Sequence, residues 1–128
     1  MGLAFLLVLL GLGCLFLAYR EQEPFQEIKV KGEALQKLVV QETVSQGADP
    51  MERTIDFAAL QRINPEIVGW LYVPQIGVDS PILTGQTDTE YLTKDFEGAY
   101  SPLGSIFTFA GARLSDSQVY LFAHNMAF

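Results

Sequence analysis

The only histidine of this 128-residue chain, His124, follows an apolar segment at residues 119–122. Its side chain is the one that changes charge near neutral pH, so it suits general acid/base catalysis. A single histidine beside an apolar strand is, however, more often a structural residue than a catalyst. Residue type alone therefore leaves both interpretations of His124 open.

A nucleophile for such a base is not evident nearby in the sequence. Cys14 is the only cysteine and lies inside an apolar segment, where a thiolate is strongly disfavoured, so we interpret it as a small apolar residue. Arg113 lies in a polar loop at residues 110–117, and we interpret it as a solvated cation. Neither residue is predicted to act together with His124.

Composition excludes several kinds of site. The formal net charge is -7 and the eight basic residues are scattered, which argues against a nucleic-acid-binding surface. One cysteine allows no internal disulfide and no cysteine-based metal cluster. Four acidic residues at 88, 90, 95 and 97 lie on a predicted helix, which favours a solvated face over a calcium site. We expect no metal site and no cofactor.

Residues 2–19 carry no charge and are apolar apart from glycine and tyrosine. They lack the basic start and small-residue cleavage site of a secretory signal. A lipoprotein signal would have an aliphatic residue three positions before its cysteine and polar residues after it. Here Gly11 stands three positions before Cys14, and the apolar Leu15 follows it. We therefore favour an uncleaved, single-pass transmembrane anchor in contact with membrane lipid over either signal. Charge bias does not set its orientation.

Residues 20–50 are predicted to form a helical stalk and linker. Apolar or small residues recur every three or four positions, which indicates one stripe of a helix, and residues 45–50 have linker composition. The members of the stripe are Phe25, Ile28, Gly32, Leu35 and Val39. We place the globular domain at residues 51–128.

The domain begins with helix signals. Asp56 is a predicted cap for a helix over residues 57–63, which Asn64-Pro65 ends. Thr87 and Glu90 have the spacing of a capping box for a second helix. Strands are predicted at residues 70–73, 78, 81–83, 105–109 and 118–123. We predict a mainly β fold with helical decorations (α+β), as a small β-barrel or sheet. Its last strand would present an open apolar edge, which predicts an incomplete chain.

The order of these segments resembles class B sortases, the membrane-anchored cysteine transpeptidases of Gram-positive bacteria. The resemblance covers most of residues 55–128. Its segments are IDFAALQRINPEIVGWLYVPQIGVDSPILTG (55–85), YLTKDFEG (91–98), GSIF (104–107) and VYLFAHNM (119–126). Here Ala123 stands where the family often has glycine.

The resemblance implies a closed barrel outside the cytoplasmic membrane, with the N-terminus inside. It implies an enzyme that cleaves a sorting signal of secreted proteins and joins it to a cell-wall or pilin amine. The resemblance gives His124 the acid/base role. The family's nucleophilic cysteine and its arginine lie on later strands, which are not present in this sequence. We therefore expect a fragment that is inactive alone.

A second hypothesis is a membrane-tethered, non-catalytic binding module. It would hold a partner at the open edge of its sheet by strand addition.

Overall fold

The computed structural model describes residues 2–41 and 53–124. In these two ranges, two helices and six strands follow one another, with short 3₁₀ turns at Pro74–Ile76 and Glu90–Leu92. The elements are α1 (Gly2–Val39), β1 (Val40–Gln41), β2 (Thr54–Ile55), α2 (Phe57–Ile63), β3 (Ile67–Val73), β4 (Val78–Thr84), β5 (Ile106–Thr108) and β6 (Leu121–Phe122). The predicted linker at residues 45–50 lies outside the described residues.

Helix α1 is continuous over 38 residues, and its two ends differ in their surroundings. The large apolar side chains from Leu6 to Leu17 are exposed, whereas Leu35 and Val39 are buried. Within the residues that the structure describes, no helix has the length and apolar character needed to cross a bilayer. The structure therefore gives no support to the transmembrane anchor predicted at residues 2–19.

Strands β3 to β6 form one sheet in the order β3-β4-β5-β6. The β3–β4 pair is an antiparallel hairpin that turns through Gly77, a glycine with φ of 68°. Strand β5 is parallel to β4 and antiparallel to β6. A parallel pair requires a crossover, and residues 85–105 form it. Strands β1 and β2 form a separate antiparallel ribbon beside α1.

One face of the sheet carries the hydrophobic core. Ile67, Leu83, Phe107 and Phe122 are neighbours across the four strands. The first three are at most 3% exposed, whereas Phe122 is 36% exposed. The core is thus closed over β3 to β5 and opens at β6. Residues from both helices and the crossover cover the closed part: Leu35, Val39, Leu60 and Tyr91.

The stripe predicted on the stalk contacts this core at its C-terminal end, through Leu35 and Val39. An ion pair joins the same helix to the crossover, because Lys31 Nζ lies 3.0 Å from Asp95 Oδ2. The last two turns of α1 therefore pack as part of the domain.

The first helix predicted in the domain is confirmed at both ends. Asp56 caps α2, accepting a hydrogen bond from the amide of Ala59 at 2.8 Å, and Asn64 ends the helix in an extended conformation. The local residues decide this helix, because cap and breaker lie within ten positions.

The helix predicted after Thr87 is wrong. Only one 3₁₀ turn, Glu90–Leu92, forms there, and no side chain caps it. The Glu90 carboxylate instead accepts a hydrogen bond from the amide of Gln86 at 2.7 Å and contacts Lys94 Nζ at 2.6 Å. The turn does not continue as a helix because the groups that would pair next have other partners: the amide of Asp95 donates to the carbonyl of Ala99, and the carbonyl of Tyr91 accepts from Ser105.

The α+β class is confirmed, with a mixed sheet and helices around it. The closed barrel is not: among the described residues the larger sheet has four strands, and β6 pairs on one side only. The sheet stops short of closure because β3 and β6 remain its two edges.

Candidate active site

The site predicted around His124 lies at the open edge of the sheet. Strand β6 is held to β5 by the pairs Thr108–Leu121 and Phe107–Phe122. His124 follows β6 by two residues, and it is exposed. The imidazole is therefore accessible to a second molecule or strand at this edge.

A backbone carbonyl holds the ring. Nε2 of His124 lies 2.7 Å from the carbonyl oxygen of Leu92, across 32 positions of the sequence. Leu92 ends the 3₁₀ turn of the crossover, and its amide donates to the carbonyl of Thr89 at 3.1 Å. The crossover thereby supplies the hydrogen-bond partner of the predicted catalytic side chain.

Tyr91 fixes this turn in the core. Its ring is buried, its hydroxyl donates to Glu66 Oε2 at 2.5 Å, and Asn64 Nδ2 donates to the hydroxyl oxygen at 2.8 Å. Burial, and then the hydrogen bond to the Glu66 carboxylate, raise the pKa of Tyr91 well above its usual value. The phenol therefore stays protonated and keeps both bonds over the physiological range.

Residues 104 and 105 contact the same turn from the other side. The amide of Ser105 donates to the carbonyl of Tyr91 at 2.9 Å, and Ser105 Oγ donates to the carbonyl of Lys94. Gly104 adopts φ of +59°, a left-handed conformation that favours glycine. The GSIF segment thus supports the turn that holds His124.

Aromatic side chains lie beside the histidine strand. The rings of Phe107 and Phe122 stack with centroids 5.5 Å apart, and Phe109 contacts Phe122 edge-on at 4.8 Å. Tyr120 meets Phe109 at 6.0 Å. Phe109, Tyr120 and Phe122 are all partly exposed. They form an apolar surface of the kind that binds a peptide side chain.

The other predicted residues do not join this site. Cys14 is exposed on α1, and Arg113 lies in a turn where its amide donates to Asp116 Oδ2 at 2.9 Å. The described partner of His124 is Leu92, so neither residue supplies a contact to the imidazole.

The acidic side chains of the crossover bind protein groups. Asp88 accepts from the amide of Ala110, and Asp95 accepts from the amides of Glu97 and Ala99 as well as pairing with Lys31. No group of residues that could hold a metal ion occurs in the described ranges. These acids are not on a solvated helix face, because the helix predicted for them does not form.

A polar cleft lies between the end of α1 and the β3–β4 hairpin, with a volume of about 360 Å³. The guanidinium of Arg53 lies over the ring of Tyr72 and contacts Asp79 Oδ1, which also accepts from Trp70 Nε1 at 2.7 Å. Gln36 Nε2 donates to the carbonyl of Asp79. These contacts connect α1 and Arg53 to the β3–β4 hairpin. No sequence motif predicted them.

Comparisons with known proteins show what this chain resembles. No protein-family model matches it. Sortase B of Staphylococcus aureus is 41% identical over 51 residues, which is 40% of this chain and 21% of that protein.

Solved structures of class B sortases share the fold, and two of them illustrate the match. Sortase B from Bacillus anthracis, in complex with AAEK1, matches with a TM-score of 0.64 and 26% identity, over 80% of this chain and 49% of that one. A class B sortase of Streptococcus pyogenes involved in pilus biogenesis matches with a TM-score of 0.52 and 35% identity, over 57% of this chain and 41% of that one. The chain therefore spans less than half the length of each relative.

The resemblance predicted from the four sequence segments is confirmed by sequence and by fold. Over the matched residues, the chain is class B sortase-like.

Proposed function

We propose that this chain provides the histidine part of a class B sortase-like cysteine transpeptidase. The observation that supports the proposal most strongly is the position of His124. Its ring is exposed just after β6, at an edge of the sheet that no other strand of residues 2–41 and 53–124 covers, and it is held by the Leu92 carbonyl. Within a sortase-like fold, that edge is where a strand bearing the nucleophile would complete the site.

In the proposed reaction His124 moves protons twice. It takes the proton of a cysteine thiol, and the thiolate attacks the carbonyl carbon of the sorting signal. It then donates that proton to the leaving amine, which leaves an acyl-thioester. In the second half it takes a proton from the incoming amine as the amide forms, and returns a proton to the departing thiolate.

The cysteine and an arginine are proposed to come from sequence other than residues 1–128. Cys14 is the only thiol of the chain, and it lies on α1 rather than at the β6 edge. Without a nucleophile, a general base leaves acyl transfer with nothing to attack the carbonyl. We therefore propose that these 128 residues alone do not catalyse transpeptidation.

The proposed partners are a sorting-signal peptide of a secreted protein and an amine of a cell-wall precursor or a pilin. The aromatic surface of Phe109, Tyr120 and Phe122 suits an extended peptide beside His124. The proposed location is the outer side of the cytoplasmic membrane, with residues 2–19 in contact with lipid. Composition of those residues is the basis for this location, and protease accessibility in intact cells tests it.

A chimera tests the activity. Residues 1–128 replace the matching N-terminal part of Staphylococcus aureus Sortase B, so that the donor enzyme supplies the cysteine and the arginine. The donor's own substrate peptide is the probe. We expect cleavage by the chimera and a loss of at least about 10²-fold in kcat/KM on His124→Ala, the usual scale for general acid/base groups.

The control is Tyr100→Phe, at a side chain that is 80% exposed on the crossover loop. It is expected to leave cleavage unchanged. Cleavage that is equally fast in the His124→Ala chimera would contradict the proposed role.

The second candidate is a membrane-tethered binding module, and the character of the β6 edge favours it. Residues 117–124 carry no Asp, Glu, Lys or Arg, and Tyr120, Leu121 and Phe122 are exposed. Edges of this kind accept an added strand. The module predicts that an extended peptide slows hydrogen exchange at one amide of the Leu121–Phe122 pair, the one that points away from β5, while a folded chimera binds that peptide without cleaving it.

A further inference from the structure

The contact between His124 and Leu92 assigns the protons of the imidazole. A carbonyl oxygen only accepts hydrogen bonds, so the nitrogen 2.7 Å from it must carry the hydrogen. We propose that the Leu92 carbonyl holds neutral His124 with its proton on Nε2, so that Nδ1 is the nitrogen that exchanges protons in the reaction. The tautomer stands on geometry alone, and only the role of Nδ1 rests on the proposed function.

The carbonyl is held in place before the ring meets it. The amide of Leu92 is bound to Thr89, and the preceding carbonyl, of Tyr91, is bound to the amide of Ser105. The Tyr91 side chain is 2% exposed and anchored in the core. The Leu92 amide and the Tyr91 carbonyl belong to the one peptide unit that precedes the Leu92 carbonyl. On the other side, the carbonyl of Thr93 accepts a hydrogen bond from the amide of Ser101 at 2.9 Å. Because the chain is bound both before and after it, the Leu92 carbonyl has little freedom to turn away from the imidazole. The hydrogen bond made by one ring nitrogen decides whether the other nitrogen of the neutral ring is protonated.

Gly104 makes room for this carbonyl. A Cβ atom at position 104 would lie 2.6 Å from the oxygen of Leu92 and 2.5 Å from that of Tyr91. Both atoms belong to the backbone, so a side chain at 104 would have to displace the turn. Gly77 offers a matched contrast: its φ is +68°, yet a Cβ there would meet nothing within 4 Å. Alanine at either site meets the same left-handed strain, but only at 104 does it push on the Leu92 carbonyl.

The assigned tautomer gives a balanced path for the proton. Nδ1 takes the thiol proton, and the ring becomes an imidazolium whose Nε2–H still donates to Leu92. The proton then leaves from Nδ1 to the departing amine, and the neutral ring returns to its starting tautomer. The hydrogen bond from Nε2–H to the Leu92 carbonyl oxygen is kept throughout and is stronger while the ring is charged. Leu92 and Gly104 are thus positioning residues for His124.

Nitrogen NMR of the full 128-residue chain in detergent tests the tautomer directly. With histidine labelled by ¹⁵N, the two ring nitrogens give unambiguous signals, because the chain has one histidine. At a pH where the ring is neutral, we expect Nε2 in its protonated form and Nδ1 in its unprotonated form, with no averaging. Gly104→Ala is expected to shift both signals towards the average of a ring that interchanges between tautomers, and Gly77→Ala to leave them unchanged.

A wild-type spectrum with averaged signals, or with the proton on Nδ1, would overturn the assignment without any variant. Identical spectra for Gly104→Ala and the wild type would overturn the role of Gly104. In the chimera, Gly104→Ala is expected to lower kcat at least about tenfold relative to Gly77→Ala. An inactive chimera whose His124 still shows the Nε2–H tautomer would count against the proposed function and not against the assigned tautomer.

Discussion

At the scale of single residues, a buried phenol connects the core to the proposed site. Tyr91 packs against the sheet, bonds Glu66 and Asn64 through its hydroxyl, and precedes the residue whose carbonyl meets His124. His124 was a candidate because of its type and its place after a strand, and the resemblance to class B sortases gave it the acid/base role. Sequence analysis could not predict Leu92, because a backbone carbonyl 32 positions away has no residue-type signal.

The pKa of Tyr91 is raised by burial and by Glu66, and this predicts how stability depends on pH. The unfolded chain loses the phenol proton from about pH 10 upward, whereas the folded chain keeps it. Tyr91 therefore contributes stability that is complete below pH 10 and falls by about 1.4 kcal/mol per pH unit above it. Tyr91→Phe should destabilise the chain by about 1–2 kcal/mol at pH 7, and this difference should shrink above pH 10.

Denaturant unfolding from pH 7 to 11, followed by the fluorescence of the single tryptophan, Trp70, measures both quantities. Tyr100→Phe, at an exposed position, should follow the wild type at every pH. If the difference in free energy of unfolding between Tyr91→Phe and the wild type stays constant up to pH 11, the predicted link between Tyr91 ionisation and stability is wrong.

At the scale of elements, local sequence signals such as helix caps predicted α2 well, but they did not predict which strands pair. Helix α2 was predicted at both ends because Asp56 and Asn64-Pro65 act within one or two turns. The helix after Thr87 was wrong because the Asp95 amide and the Tyr91 carbonyl, which a helix would pair, bind Ala99 and Ser105 instead. Strand positions could be predicted from branched and aromatic residues, but the parallel β4–β5 pairing depends on a crossover that sequence patterns do not encode.

We predict that packing of the C-terminal end of α1 contributes to the free energy of unfolding of the domain. Leu35 is 4% exposed and packs in the cluster that contains Leu60 and Leu83. Leu35→Ala should therefore lower the free energy of unfolding by about 2–5 kcal/mol, because it removes buried methyl groups and leaves a cavity.

Leu38→Ala is the matched control, since Leu38 lies on the same helix and is 66% exposed. It should change stability by less than about 0.5 kcal/mol. Equal effects of the two substitutions on denaturant unfolding would show that the helix end does not pack on the sheet in solution.

At the scale of the whole molecule, the burial of the core follows the order of the strands. Ile67, Leu83 and Phe107 are enclosed, and Phe122 on β6 is not. His124 lies at this open side, together with the exposed aromatic residues. The resemblance to class B sortases could be predicted from segment order alone. Closure of the sheet into a barrel could not be predicted from composition, because strand number and shear are set by pairing across the whole fold.

The most direct measurement of the central claim is the intact mass of the sortase chimera after mixing with its substrate peptide. The account predicts an added mass equal to the N-terminal peptide product, removed by hydroxylamine as a thioester would be, and at least about 10²-fold slower to form on His124→Ala. A thioester that forms at the same rate without His124, in a chimera that is folded, would contradict it.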